Sequence, residues 1–180
     1  GAFILYYDAK TKNIYAWDGR EKAPMNFSEN IFLNSNGKKK GFIEAVSGGL
    51  AVGVPSLVAM LEKAHEIHGN MPWKLLFDDA IKLSTEGFIV GSRLAKLISR
   101  APHLKNQEIA KEYFNTDNGG LQEGDLKKNL EFAESLKLIR DNGSKTMLYG
   151  KLAANILSTV IENKSNPGVM KKNDFDFVKP

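Results

Sequence analysis

The sequence contains no cysteine, which excludes disulfide bonds, thiolate catalysis and cysteine-ligated zinc sites. Histidine is scarce as well, with three residues in 180. No apolar run approaches the roughly 18 residues of a membrane span, and the longest, around residues 50–60, is interrupted by Gly53 and Pro55. The sequence does not begin with charged residues followed by an apolar stretch, so no signal peptide is visible in it. We therefore expect a globular chain without a membrane span or thiol chemistry.

The charge is basic but thinly spread. Lysine and arginine number 25 against 21 acidic residues, a net charge of +4. The one tight basic run, Lys38 to Lys40, follows Gly37 in a polar stretch, and we interpret it as solvated surface. Nucleic-acid-binding proteins usually concentrate basic residues on one face, with stacking aromatics among them. A non-catalytic basic helical module that binds nucleic acid stays open as an alternative, and it predicts an affinity that falls steeply with salt.

The residue patterns predict an α+β chain in which a hairpin precedes several helices. Residues 3–8 and 13–18 are rich in Ile, Tyr and Trp and flank a polar turn, which is typical of a β-hairpin. Residues 25–49 read as irregular. From Pro55 onward apolar residues recur every three or four positions, the period of a helix. The predicted helices begin at Pro55, Pro72, Ser92, Asn106, Asp125 (as a cap) and Lys151, and end near Gly69, Glu86, Ser99, Tyr113, Asn142 and Asn163.

The residues by themselves predict no self-sufficient catalytic or metal site. His65 and His68 are three positions apart, whereas the zinc-protease pattern needs a spacing of four and a third ligand. We interpret both as histidines on a polar helix face, and His103 lies on another segment. Asp78 and Asp79 are adjacent, so they point about 100° apart on a helix and cannot face each other as an acid/base pair.

One candidate binding residue remains in the loop after the predicted hairpin. Arg20 lies between Asp18-Gly19 and Glu21. A loop arginine next to a strand is held by a rigid element and can offer its planar fork to a carboxylate. Without further information a structural ion pair is the favoured interpretation of Arg20.

Several short motifs in chain order resemble the large subunit of γ-glutamyltransferases. Each is weak alone, but the ordered set covers essentially all 180 residues, so the sequence is similar to an internal piece of that subunit. The main motifs are Phe3-Ile4-Leu5-Tyr6-Tyr7-Asp8, Asp18-Gly19-Arg20-Glu21-x-Ala23-Pro24, Gly49-Leu50-Ala51-Val52-Gly53-Val54-Pro55, Gly69-x-x-Pro72-Trp73, Ala80-Ile81-Lys82-Leu83-x-x-Glu86-Gly87-Phe88, Gly124-Asp125-Leu126 and Pro167-Gly168-Val169-Met170-x-x-x-Asp174-Phe175.

The resemblance implies the fold of a self-processing Ntn hydrolase, an αββα sandwich, for the longer parent protein. Residues 1–180 would form a single partial domain of it. Within that domain residues 1–24 would supply the β-hairpin and a substrate-carboxylate loop, and residues 50–165 a helical region. The parent would cleave itself before a threonine that begins the small subunit and acts as nucleophile, with its own amine as base.

The implied reaction is transfer of the γ-glutamyl group from glutathione or a related amide to water, an amino acid or a peptide. It needs no cofactor and no metal. The implied partner is the small subunit of the same precursor, in a heterodimer, with no nucleic acid involved. The resemblance also implies export to the periplasm or secretion.

One functional residue of the family maps onto this chain. Arg20, in Asp-Gly-Arg-Glu, matches the arginine that grips the α-carboxylate of the γ-glutamyl group. The nucleophile and the other substrate-binding groups belong to segments beyond Pro180, so we expect no catalytic residue here and no activity from this chain alone. The threonines that lie outside any processing context are Thr11, Thr85, Thr116, Thr146 and Thr159.

Two points qualify the resemblance. Ser56 stands where the family usually has glycine after Val-Pro, so we expect the entry to the following helix to differ slightly. A cephalosporin-acylase-like Ntn amidase, with the same fold and a different acyl group, is the nearest alternative. The Asp-Gly-Arg-Glu motif favours the γ-glutamyl group over that alternative.

Overall fold

The computed structural model describes residues 1–179 and consists of a β-hairpin followed mainly by short helices. The strands are β1 (Phe3–Asp8), β2 (Asn13–Asp18), β3 (Phe88–Ile89) and β4 (Leu126–Lys127). The α-helices are α1 (Phe42–Val46), α2 (Leu57–His68), α3 (Asp78–Glu86), α4 (Ser92–Ser99), α5 (Glu108–Tyr113), α6 (Leu130–Asn142), α7 (Lys145–Leu148) and α8 (Lys151–Ile161). Four 3₁₀ segments cover Trp73–Phe77, Pro102–Asn106, Thr116–Asn118 and Lys172–Phe177. The predicted α+β class with an N-terminal hairpin is confirmed.

The hairpin has the boundaries that the sequence predicted. Strands β1 and β2 pair antiparallel from Phe3↔Asp18 to Asp8↔Asn13. The turn between them is held by the Asp8 carboxylate, which accepts hydrogen bonds from the Lys10 backbone N–H and the Thr11 hydroxyl, each at 2.9 Å. A side chain that accepts from the backbone two residues on is the usual way an aspartate stabilises a turn.

One face of the hairpin packs against helix α2. Because successive strand residues point to opposite faces, Tyr6 and its cross-strand partner Tyr15 lie on the same face. The ring of His68, the last residue of α2, lies 4.3 Å from that of Tyr6 and 4.8 Å from that of Tyr15. This aromatic contact joins the strand that leads into the Arg20 loop to the helix behind it.

One predicted helix is divided in the structure. The predicted helix from Pro72 to Glu86 is divided into a 3₁₀ segment and α3, which begins at Asp78. Asp78 and Asp79 occupy the first turn of α3, where carboxylates interact favourably with the helix dipole, and this favours a new helix start. In addition, residues 25–49, predicted to be irregular, contain the short helix α1.

The predicted cap at Asp125 is also wrong. Leu126 and Lys127 pair with β3, and the helix α6 begins only at Leu130. The Asn129 side chain accepts a hydrogen bond from the Phe132 backbone N–H at 2.8 Å, as an N-terminal cap does. The Asp125 carboxylate accepts instead from the Gln122 backbone N–H at 2.8 Å, within the preceding turn.

The chain divides into two compact units, Gly1–Phe77 with Lys137–Pro180 and Asp78–Leu136. The hairpin and Arg20 belong to the first. Its core consists of Val54, Ala59, Leu148, Ala153, Val160, Met170 and Phe175. The core of the second consists of Val90, Ile98 and Leu121, packed by Leu94, Ala95, Leu104 and Phe114. That residues 1–180 act as one partial domain of a parent stays a prediction.

Within residues 1–179, no helix combines the length and the apolar character needed to cross a membrane.

Candidate functional site

The candidate site is the loop from Asp18 to Lys22, which continues directly from β2. At its start the Gly19 N–H donates to the Ala2 carbonyl, and the Arg20 N–H donates to the Asp18 carboxylate, both at 2.9 Å. At its end Lys22 and Val54 exchange two backbone hydrogen bonds, of 3.4 and 2.8 Å. The loop is therefore bonded to the framework on both sides of Arg20.

A close approach to helix α2 fixes the middle of this loop. Gly19 is buried, and a Cβ placed on it would lie 2.7 Å from Cε and 2.9 Å from Cβ of Met60. Met60 is fully buried on α2, and protein interiors are close-packed. Only glycine allows the loop to lie this close to the helix.

Ser56 provides a second link between the loop and the start of α2. Its hydroxyl donates to the backbone carbonyl of Arg20 at 2.5 Å, and the residue is 5% exposed. Both backbone polar groups of Arg20 are thus bonded, the N–H to Asp18 and the carbonyl to Ser56. The main chain at Arg20 is held in one orientation.

The Arg20 side chain, by contrast, extends into solvent. It is 56% exposed, and Nη2 lies 3.2 Å from Oε1 of Glu21. A guanidinium group carries five N–H donors, so this one ion pair leaves donors available to a ligand. A fixed backbone with an exposed planar fork is an arrangement suited to binding a carboxylate.

The Glu21 carboxyl is held in its charged form. A hydrogen bond from its own backbone N–H and the charge of Arg20 lower its pKa from the usual 4.5. A lowered pKa means that these contacts are present at neutral pH and are lost as the pH falls through that value, below 4.5. Glu21 is thus an anionic neighbour of Arg20 throughout the neutral range.

A buried aspartate anchors the chain just after the loop. Asp174 is 3% exposed, and its carboxylate accepts hydrogen bonds from the backbone N–H groups of Met25 at 2.9 Å and Lys171 at 2.6 Å. Met25 follows Pro24, which is buried. Asp174 was apparent in the sequence only as part of the resemblance, because its partner at Met25 is 149 positions away.

The histidines do not form a metal site with one another. Nε2 of His65 lies 2.7 Å from the Met71 carbonyl, and its ring is 5.3 Å from that of Trp73. His68 packs against the hairpin, so both side chains are half-buried among aromatic rings, and their placement on a polar face was wrong. In the described part of the chain no three His, Asp or Glu residues are grouped so as to hold a metal ion.

The basic run is only partly solvated. Lys38 and Lys39 are exposed, as predicted. The Lys40 side chain is 17% exposed, and its Nζ lies 3.0 Å from the Glu44 carboxylate and 3.4 Å from the Asn166 side-chain oxygen. Lys40 therefore joins α1 to the segment near the far end of the chain.

Comparison with known proteins identifies the family. The gamma-glutamyltranspeptidase sequence profile matches residues 1–179. The chain belongs to this family. It is 38% identical over 160 residues to the glutathione hydrolase proenzyme of Bacillus subtilis (strain 168), covering 89% of this chain and 27% of that protein. It is 31% identical over 181 residues to the glutathione hydrolase proenzyme of Escherichia coli (strain K12), covering 99% of this chain and 30% of that protein.

A solved structure from the same family shares the fold. The crystal structure of Helicobacter pylori gamma-glutamyltranspeptidase superimposes with a TM-score of 0.90 at 30% identity, over 99% of this chain and 50% of that chain. Solved gamma-glutamyltranspeptidase structures that resemble this chain are Ntn hydrolases. This confirms the predicted fold class. The chain spans about a quarter to a third of the length of these curated relatives and half of the solved chain.

Proposed function

We propose that the parent of this chain cleaves the γ-glutamyl amide bond of glutathione and transfers the γ-glutamyl group to water, an amino acid or a peptide. Membership of the gamma-glutamyltranspeptidase family and the glutathione hydrolase names of its relatives support this reaction. In this chain the supporting observation is an exposed Arg20 fork on a fully bonded backbone.

Arg20 binds the α-carboxylate of the γ-glutamyl donor in this proposal. Two parallel N–H···O bonds between a guanidinium and a carboxylate are short, directional and about twice as strong as neutral hydrogen bonds. Such a pair selects a donor with a free α-carboxylate over one in which that group is capped as an amide.

The remaining chemistry belongs to the parent outside this chain. The parent cleaves itself before a threonine, and that threonine attacks the γ-carbonyl with its own amine as base. The γ-glutamyl group passes to the threonine hydroxyl as an ester, the amine of cysteinylglycine leaves, and an acceptor then takes the group, which gives ping-pong kinetics.

The proposed function also implies a partner for this chain and a location for the parent. The other product of self-cleavage, the small subunit, forms a heterodimer with the part that contains this chain, and this chain alone is inactive. The proenzyme names of the relatives support a two-chain product. The parent acts in the periplasm or outside the cell, without a cofactor, a metal or a nucleic-acid partner.

The choice of acyl group can be tested with two chromogenic anilides and the full-length parent. The glutaryl anilide keeps the carboxylate but lacks the α-amino group of the γ-glutamyl anilide. A site built to bind a polar group rejects an analogue without it, so we expect kcat/KM to be higher for the γ-glutamyl anilide by about tenfold or more. A preference for the glutaryl anilide would instead support the acylase-like alternative.

A further inference from the structure

Ser56 stands at the N-cap of α2 but does not cap the helix. A serine in this position normally accepts a hydrogen bond from the backbone N–H of the second or third helical residue. The Ser56 side chain makes no such bond. Its hydroxyl donates instead to the carbonyl of Arg20, 36 positions earlier in the chain, and the residue is 5% exposed.

The bond that Ser56 makes restrains the peptide unit that joins Arg20 to Glu21, the ion-pair partner of its side chain. The Arg20 carbonyl belongs to the peptide unit that leads to Glu21, so the hydroxyl limits rotation about ψ of Arg20. The neighbouring restraints act elsewhere, at the Arg20 N–H through Asp18 and at Lys22 through Val54. Without the hydroxyl, the peptide unit between Arg20 and Glu21 can turn, and Glu21, whose Oε1 lies 3.2 Å from Nη2 of Arg20, shifts relative to the Arg20 fork.

We infer that Ser56 is a positioning residue for the α-carboxylate of the γ-glutamyl donor, acting through the Arg20 carbonyl. The inference rests on the proposed function, since it needs Arg20 to bind that carboxylate. Ser56 touches no substrate in this account. Its effect therefore appears only with donors that carry the group Arg20 binds.

The test compares Ser56→Ala and Ser56→Thr in the full-length protein with two donors, the γ-glutamyl anilide and its α-carboxamide. Because the α-carboxylate is held equally in the ground state and the transition state, weakening its contact with Arg20 raises KM and leaves kcat nearly unchanged, so we expect Ser56→Ala to raise KM for the first donor about tenfold and to change kcat less than about twofold. Ser56→Thr keeps the hydroxyl and restores KM to within about twofold of the wild type. With the α-carboxamide donor, we expect the same KM for Ser56→Ala as for the wild type.

A matched control removes another hydroxyl-to-carbonyl bond. Ser84 is half-buried in α3 and donates to the Ala80 carbonyl at 2.8 Å, so Ser84→Ala reports the generic cost of losing such a bond and leaves both KM values unchanged. A second readout places Ser56→Ala in an Arg20→Ala background, where its effect on KM disappears if Ser56 acts through Arg20.

The outcomes separate the two claims. Equal losses with both donors, or an undiminished effect in the Arg20→Ala background, would overturn the positioning role and leave Ser56 as a stabilising residue only. If Arg20→Ala itself leaves the γ-glutamyl KM unchanged, the proposed binding role of Arg20 fails, and the inference fails with it. A large effect of Arg20→Ala without coupling to Ser56 overturns this inference alone.

Discussion

Replacing Arg20 by lysine in the full-length protein raises KM for glutathione by roughly 10- to 100-fold. Lysine keeps the positive charge but loses the planar fork that pairs with both oxygens of a carboxylate. Loss of one charge-assisted hydrogen bond costs about 1.5–3 kcal/mol, and each 1.4 kcal/mol corresponds to about a tenfold change in affinity. The measurement is steady-state kinetics of glutathione hydrolysis at a fixed pH near neutrality, where Glu21 is charged.

The control for this prediction is Arg100→Lys, a matched change at an exposed arginine that follows α4. We expect its KM to equal that of the wild type. An α-carboxamide donor provides a second check. Because this donor lacks the carboxylate, its KM should differ little between the wild type and Arg20→Lys. An unchanged KM for glutathione in Arg20→Lys would show that Arg20 does not hold the α-carboxylate.

The largest expected loss of stability follows from Phe175→Ala. Phe175 is 1% exposed and packs in the core of the first unit with residues that include Val54 and Met170. Truncating a buried phenylalanine to alanine removes its apolar contacts and leaves a cavity, which lowers the free energy of unfolding by about 3–5 kcal/mol. The measurement is urea unfolding of the chain, followed by fluorescence of Trp17 and Trp73, both of which belong to the same unit.

Phe177 supplies the matched control, since it lies in the same 3₁₀ segment but is 58% exposed. Phe177→Ala should change the free energy of unfolding by less than about 0.5 kcal/mol, as exposed substitutions usually do. Equal effects of the two substitutions would contradict the placement of Phe175 in this core.

The sequence predicted those elements whose signals are local. The hairpin and α4 have the predicted boundaries because strand alternation, the polar turn and the helix period all lie within a few neighbouring residues. The pairing of Leu126 and Lys127 with β3 was not predictable in this way. It involves two residues per strand, and its partner lies more than thirty positions earlier.

The difference between local signals and contacts distant in the chain also explains which site residues were predicted. Arg20 was found because its Asp-Gly-Arg-Glu context is contiguous, although the residues alone favoured a structural ion pair and only the resemblance suggested a ligand. The structure contains both features, a contact with Glu21 and an exposed fork. Ser56 and Asp174 were noticed in the sequence without their roles, because each acts on a backbone group far away in the chain.

The most direct measurement of the central claim is release of a chromogenic amine from a γ-glutamyl anilide, assayed with the full-length parent and with this chain alone. We expect release by the self-cleaved parent and none by the chain, because in the proposed function the chain supplies only the carboxylate-binding loop and another segment of the parent supplies the nucleophile. A self-cleaved parent that leaves the γ-glutamyl anilide intact, or a chain that hydrolyses it unaided, would contradict the proposed function.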